Sequence, residues 1–289
     1  MMRPMELAFT TQDARSEADA YGAARQQGLR ARDQRRRAIL TRTVKLDVIP
    51  RLVVAHTAGV AISAPSLIVA PSHVAELVQL VLARGDCAAI AFVEGMRDGG
   101  AAAESLYLDL LAPAARRLGV MWEEDTCDFM EVTVGLWRLQ SAMRELSPSF
   151  LDQRAGRAEG PRILLVPLPG ESHTFGLSMV YEFFRRAGWN AWSGPVADSA
   201  ELAALVRRER VDVVGFSLSC DERLETVYSE IRAVRRASLN PGLSVMVGGP
   251  PFADNPLLAA QLGADGTATD GRQAVAQAKA LVEDSRARG

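Results

Sequence analysis

The spacing of apolar residues changes character near residue 160, and that change divides the chain. Before it, apolar positions recur at helical intervals. Val74, Leu77, Val78, Val81 and Leu82 follow Pro71-Ser72 with Glu76 among them, which predicts a helix that Gly85-Asp86 ends. Leu106, Leu110, Leu111, Ala114, Leu118 and Met121 form a second stripe running to Trp122, and Phe129 to Leu146 predicts a further amphipathic helix. With Val48 to Thr57 ahead of them, these segments imply a compact helical bundle over residues 48–146. Residues 147–161, containing Pro, Gly and Arg, read as a linker.

Beyond the linker, strand-like runs at 162–168, 211–218 and 243–248 alternate with helix-like runs at 177–187, 199–209, 222–237 and 271–285. Trp189 to Trp192 supplies a weaker strand, and Gly266-Thr267 a last short one. This alternation predicts a Rossmann-like, doubly wound parallel sheet of five strands over residues 162–289. The fold class is therefore α plus α/β, a helical bundle followed by a parallel sheet domain. Residues 1–47 are polar and rich in Ala, Gln and Arg, and predict a flexible or partly helical arm. Its cluster Arg30, Arg32, Arg35, Arg36 and Arg37 is either a solvated helix face or a contact surface for a protein or DNA partner.

Composition narrows the function classes. The 289 residues carry a net charge of −2, so no bulk attraction draws the chain to nucleic acid or membrane, and DNA contact would need the local arginines. No stretch resembles a membrane span or a signal-peptide core. Cys87, Cys127 and Cys220 are widely spaced and read as buried thiols of a reducing cytoplasm. The sequence holds no Walker loop, metal-protease helix motif or serine elbow, so catalysis is not expected.

The candidate chemistry lies at Glu171-Ser172-His173-Thr174-Phe175-Gly176, directly after the first strand run. His173 is thereby placed at the carboxyl end of a strand, where open α/β sheets bind ligands. A neutral imidazole suits a borderline transition metal, and Glu171 stands two residues away to accept from its other nitrogen. Ser217-Leu218-Ser219 follows Gly176 after 40 intervening residues, and Gly248-Gly249 follows Ser219 after 28. These intervals put all three segments in loops after the first, third and fourth strands, at one sheet edge. Gly176 clears a path for a ligand's tail, Ser217 and Ser219 offer hydroxyls, and Gly248-Gly249 lets backbone approach a ring closely. Each signal alone is commonplace; their ordered conjunction is rare.

The conjunction resembles the pattern of cobalamin-binding domains, Asp-x-His-x-x-Gly, then Ser-x-Leu, then Gly-Gly. The resemblance implies cobalamin held base-off with His173 below the cobalt, cradled by residues 171–176, Ser217, Ser219, Gly248 and Gly249. Glu171 departs from the family aspartate, and Ser219 from the leucine of many members. The segment Tyr107 to Asp125 resembles the helix-bundle module preceding cobalamin domains in methionine-synthase-like proteins and light-sensing cobalamin regulators. That implies a place for Trp122 near the upper axial ligand, although a plain bundle-core residue is the other reading. Glu131-Val132-Thr133 lacks the histidine of the Glu-His pair often found in adenosyl-dependent regulators.

With Val48 to His56 added, the chain from about residue 44 resembles the AerR/PpaA group of cobalamin-binding antirepressors of purple bacteria. The resemblance implies a light- and redox-responsive regulator that binds a PpsR/CrtJ-type transcription factor. Heme is a competing cofactor, since His173 could ligate iron. A corrinoid carrier for a methyltransferase and an interaction module with a vestigial site are the other readings.

Overall fold

A computed structural model describes residues 67–83, 87–151, 160–171 and 173–288. The N-terminal arm with its arginines, the Val48–His56 segment, the Gly85-Asp86 stop and Ser172 lie outside the described residues.

The first part is helical. Helices α1 (Pro71–Leu82) and α2 (Cys87–Asp98) precede one helical turn (Ala103–Ser105) and a π-helical stretch (Leu106–Leu111), which runs directly into α3 (Ala112–Glu123). Helix α4 (Phe129–Phe150) follows. Its start is fixed by a capping box: Asp128 accepts from the Glu131 N–H at 2.7 Å, while Glu131 accepts from the Asp128 N–H at 2.9 Å. Leu77, Val81, Val93, Leu110, Leu118 and Leu139 share one buried core.

Three details depart from the sequence pattern. Helix α2 was not evident, because its inward positions Ala89, Val93 and Met96 form only a weak, small-residue stripe. The π-helical stretch widens the turn and brings Tyr107 into the core beside the expected Leu106, Leu110 and Leu111. Helix α4 continues past the expected end at Leu146, through Pro148 to Phe150. Leu146 and Phe150 lie one turn apart and are both buried, so their packing outweighs the hydrogen bond that proline removes. Cys87 is exposed rather than buried; Cys127 is buried and Cys220 half-buried, and all three are free thiols.

The second part is the expected sheet. Strands β1 (Arg162–Pro167), β2 (Asn190–Ser193), β3 (Val213–Ser217), β4 (Ser244–Gly248) and β5 (Gly266–Ala268) are all parallel, in the order β2-β1-β3-β4-β5. Between them run α5 (Phe175–Arg186), α6 (Ser199–Arg208), a 3₁₀ turn (Asp221–Arg223) leading into α7 (Leu224–Ala237), the short α8 (Pro250–Asp254) and α9 (Leu257–Gln261), and finally α10 (Gly271–Arg288). The two short helices were not evident in the sequence. Alternate strand residues face opposite ways. Leu164, Val166, Val214 and Val245 pack with α6 and α7, whereas Ile163, Leu165, Val213 and Met246 pack with α5 and α10.

The chain leaves β1 toward β2 on one side and returns to β3 on the other. That reversal opens a crevice outside the carboxyl ends of β1 and β3, the usual ligand position in such sheets.

Helix α5 belongs to both parts. Leu177 and Phe184 lie in the sheet core, while Met179 and Phe183 lie in the bundle core. Phe183 meets the Phe150 ring edge-on at 4.9 Å, and Phe150 stacks on Tyr107 at 4.2 Å. Polar groups tie the same seam: the Ser147 hydroxyl donates to the buried Glu182 at 2.6 Å, and Arg272 pairs with Glu104 at 2.6 Å. Burial raises the Tyr107 phenol well above its ordinary value, the Glu182 charge adds to this and Arg185 opposes it. The phenol thus stays protonated and donates to the Met143 carbonyl at 3.2 Å.

Candidate functional site

Strand β1 ends in a tight turn, Leu168-Pro169-Gly170-Glu171, closed by a hydrogen bond from the Glu171 N–H to the Leu168 carbonyl at 2.7 Å. Proline at the second position and Gly170 at φ +80° are the pattern of a type II turn. The turn delivers Glu171 into the crevice, where its side chain is only 4% exposed.

Both oxygens of that carboxylate are used. One accepts from the His173 N–H at 2.9 Å and meets His173 Nδ1 at 2.7 Å. The other accepts from the Ser219 hydroxyl at 2.6 Å and the Ser219 N–H at 3.0 Å. Burial by itself would raise the Glu171 pKa, but the bonds from Ser219 and His173 outweigh it and hold the group at about 2. Glu171 is therefore a carboxylate at any ordinary pH, and it draws the imidazole proton to Nδ1. Nε2 has no hydrogen-bond partner among the described residues, on a side chain that is 67% exposed.

The other sequence-predicted residues fall around this pair. Thr174 caps α5 with its carbonyl, which accepts from the Ser178 N–H at 2.9 Å. Phe175 packs half-buried against the bundle core. A Cβ placed on Gly176 would meet no atom within 4 Å, so the space beside the first turn of α5 is open. Ser217 closes β3, pairs in register with Pro167 and Gly248, and its carbonyl accepts from the Leu168 N–H at 3.2 Å. Because Ser219 is committed to Glu171, Ser217 is the hydroxyl of the two with no hydrogen bond among the described residues.

Gly248 accepts from the Leu218 N–H at 3.0 Å, and Gly249 sits at φ +115°. A Cβ on Gly249 would lie 1.8 Å from the Leu218 carbonyl oxygen, so this glycine is required by the packing of two loops against each other. Trp122 lies in the last turn of α3, outside the buried bundle core, and is 51% exposed. Glu131, in the segment where a histidine was lacking, is occupied in the α4 capping box. Sequence reasoning missed the Pro169-Gly170 turn, whose dipeptide was a legible turn signal. It also missed Arg223, which donates to the Pro169 carbonyl at 3.1 Å and has no local signature.

The donor set suits one kind of metal. Among the described residues no group of three or more His, Cys, Asp or Glu side chains could hold a bare ion. His173 offers a single nitrogen, which fits a metal whose equatorial ligands come with a macrocycle, and the carboxyl-edge loops also carry the open space at Gly176 and the Ser217 hydroxyl at the end of β3. Among the described residues no helix is long and apolar enough to cross a membrane.

The five-stranded parallel Rossmann-like sheet, preceded by a helical region, matches a fold found among corrinoid-binding proteins. Residues 161–278 match the family described as the B12 binding domain. An uncharacterized protein of the bchF-crtJ intergenic region of Rhodobacter capsulatus is 28% identical over 163 residues, covering 56% of this chain and 84% of the relative. Among solved structures, the monomethylamine corrinoid protein of Methanosarcina barkeri superposes with a TM-score of 0.60 at 16% identity. That likeness covers 74% of this chain and 98% of the other, and it establishes the fold alone.

Proposed function

We propose that the protein is a cobalamin-dependent transcriptional regulator that holds its cofactor base-off, with His173 Nε2 as the lower cobalt ligand. The observation that carries the ligand assignment is the orientation of the imidazole, with Nδ1 held by a buried carboxylate and Nε2 free at the sheet's switch point. The bound corrinoid would supply a photolabile cobalt–carbon or cobalt–oxygen bond. Glu171 orients the imidazole, Ser217 offers a hydroxyl to the displaced base, and the groove at Gly176 admits the tail. Ser172 belongs to the same loop by sequence.

The regulatory part of the reading draws on the relative encoded beside crtJ. By that association the partner is a PpsR/CrtJ-type repressor, whose hold on DNA the protein would relieve by binding rather than by catalysis. Exposed Trp122 in the last turn of α3, with exposed Phe129 and Met130 in the first turn of α4, supplies apolar surface suited to cover an upper ligand. The arginines of residues 30–37 remain candidates for the partner or DNA contact. The corrinoid-carrier reading is favoured by the Methanosarcina fold likeness, which extends over most of this chain. Heme, the competing cofactor, draws no support from these matches.

Absorption spectra of the purified protein with hydroxo-, methyl- and adenosylcobalamin, in dark and light, test the reading beside His173→Ala. Retained corrin with a His173-dependent shift is expected, together with light-dependent capture of a PpsR/CrtJ-type factor. Dark methyl transfer from the bound corrinoid to an acceptor thiol, with no light effect on capture, would instead establish the carrier. Failure to retain any cobalamin would overturn both.

A further inference from the structure

We propose that Arg223 is a positioning residue for the histidine loop, fixing the turn that presents Glu171 and, through it, His173. The inference rests on the reading of His173 as the corrinoid ligand. Arg223 ends the 3₁₀ turn after β3, yet its guanidinium crosses to the loop after β1 and donates from Nη1 to the Pro169 carbonyl at 3.1 Å.

That carbonyl belongs to the one peptide of the turn that its closing hydrogen bond leaves undetermined. The bond between Glu171 and Leu168 is compatible with type I and type II geometry alike. The two differ by a half rotation of the central peptide, here the one joining Pro169 to Gly170. Gly170 at φ +80° places this peptide in the type II orientation, in which Arg223 reaches its oxygen. After a flip the oxygen would face away and the guanidinium would lose its acceptor. Gly170 and Arg223 are also fitted to each other: a Cβ at Gly170 would stand 2.9 Å from Arg223 Nη1.

The consequence reaches the ring through Glu171, the next residue. Glu171 directly follows that peptide, so a turn held in one orientation steadies the residue whose carboxylate must meet Ser219 and His173 together. Two side chains thus join the β3 side of the crevice to the β1 loop, Ser219 on the carboxylate and Arg223 on the turn, beside the backbone bond from the Leu168 N–H to the Ser217 carbonyl. Among the described residues Arg223 forms no ion pair, so its bond to the turn is not the by-product of a neighbouring carboxylate.

The test uses the full-length chain with Arg223→Ala, Arg223→Lys and His173→Ala. Long-range ¹H–¹⁵N spectra of the cofactor-free protein read imidazole tautomers directly, and with three histidines in the chain the His173 variant assigns the signals. The wild type is expected to hold His173 as a single tautomer protonated at Nδ1, Arg223→Ala to show a tautomer mixture, and Arg223→Lys to restore the single form. Titration with hydroxocobalamin should then show about tenfold weaker binding for Arg223→Ala, with a diminished histidine-ligated band and a melting temperature close to wild type. Should the alanine variant not fold, Arg223→Gln, which keeps a donor and the stem but not the charge, is read in its place by the same two spectra. Wild-type tautomers and wild-type affinity in these variants would overturn the role of Arg223. A His173→Ala protein with an unchanged corrinoid spectrum would instead overturn the ligand reading, leaving the tautomer result to stand or fall separately.

Discussion

Glu171 and Ser219 are 48 residues apart in sequence, yet one carboxylate oxygen receives both the hydroxyl and the backbone N–H of Ser219. They are also the two positions at which the chain departs from the cobalamin-domain pattern. In space the departures are one change. The extra methylene of glutamate extends the arm, and serine in place of leucine meets it with a hydroxyl at 2.6 Å.

A double-mutant cycle should expose this pairing. Glu171→Gln and Ser219→Ala are each expected to weaken hydroxocobalamin binding about tenfold, with the double variant scarcely worse than Glu171→Gln. The coupling should be on the order of 1–2 kcal/mol. Strict additivity in the titrations would mean that the two side chains act independently.

Acid should undo the same contact. The folded carboxylate is held at about 2 against an ordinary 4.5, because bonds from Ser219 and His173 overcome the burial that opposes ionisation. With the folded value depressed, the stabilisation is full above about pH 4.5 and is lost as pH falls from there through about 2. Its size is on the order of 3 kcal/mol. Urea unfolding of wild type and Glu171→Gln should show a constant gap at neutral pH that narrows steadily below pH 4.5. A gap that does not change with pH would contradict the assignment.

Two glycines of the candidate site should respond in opposite ways. Gly249→Ala forces a Cβ to 1.8 Å from the Leu218 carbonyl at φ +115°, and should cost more than about 4 kcal/mol, seen as loss of the thermal transition. Gly176→Ala enters open space in the first turn of a helix and should leave the melting temperature equal or slightly raised. Its methyl group would nevertheless narrow the tail's path, so hydroxocobalamin affinity should drop. Unchanged affinity would place the tail elsewhere.

Truncating Phe183 tests the seam between bundle and sheet. Phe183→Ala removes the ring that meets both Phe150 and Tyr107, and should cost about 3–5 kcal/mol in urea unfolding. The two parts should unfold in one transition whether followed by tryptophan fluorescence or far-ultraviolet dichroism. Separate transitions in the wild type would refute the shared core.

What the sequence made legible follows from local physics. Alternation of strand and helix periods placed all five strands, since apolar runs such as Ile163-Leu164-Leu165-Val166 are buried on both faces. The carboxyl-edge loops followed from strand order alone. Less legible was whatever depends on tertiary context. The alanines of α2 blur its stripe, and the π-helical phase turns Tyr107 inward against an α-helical count. Pro148 signals a stop that Phe150 overrides by packing. The sequence suggested Glu171 as the acceptor for His173, but the bond to Ser219 and the reach of Arg223 join loops separated by about 50 residues, and no local pattern encodes them.

Helix α5 starts two residues after His173 and ends among aromatic rings of the bundle. A cut at the linker would therefore not yield two self-sufficient pieces. The sheet half would carry away Phe175, Met179 and Phe183 as a bare greasy stripe, and the bundle half would lose part of its filling. Any exchange of caps between such proteins, by a laboratory or by recombination, has to take the bundle-facing surface of this helix along with the cap. The histidine proposed to receive the metal and the side chains that receive the cap are inherited together, the histidine loop running straight into a rod of twelve residues.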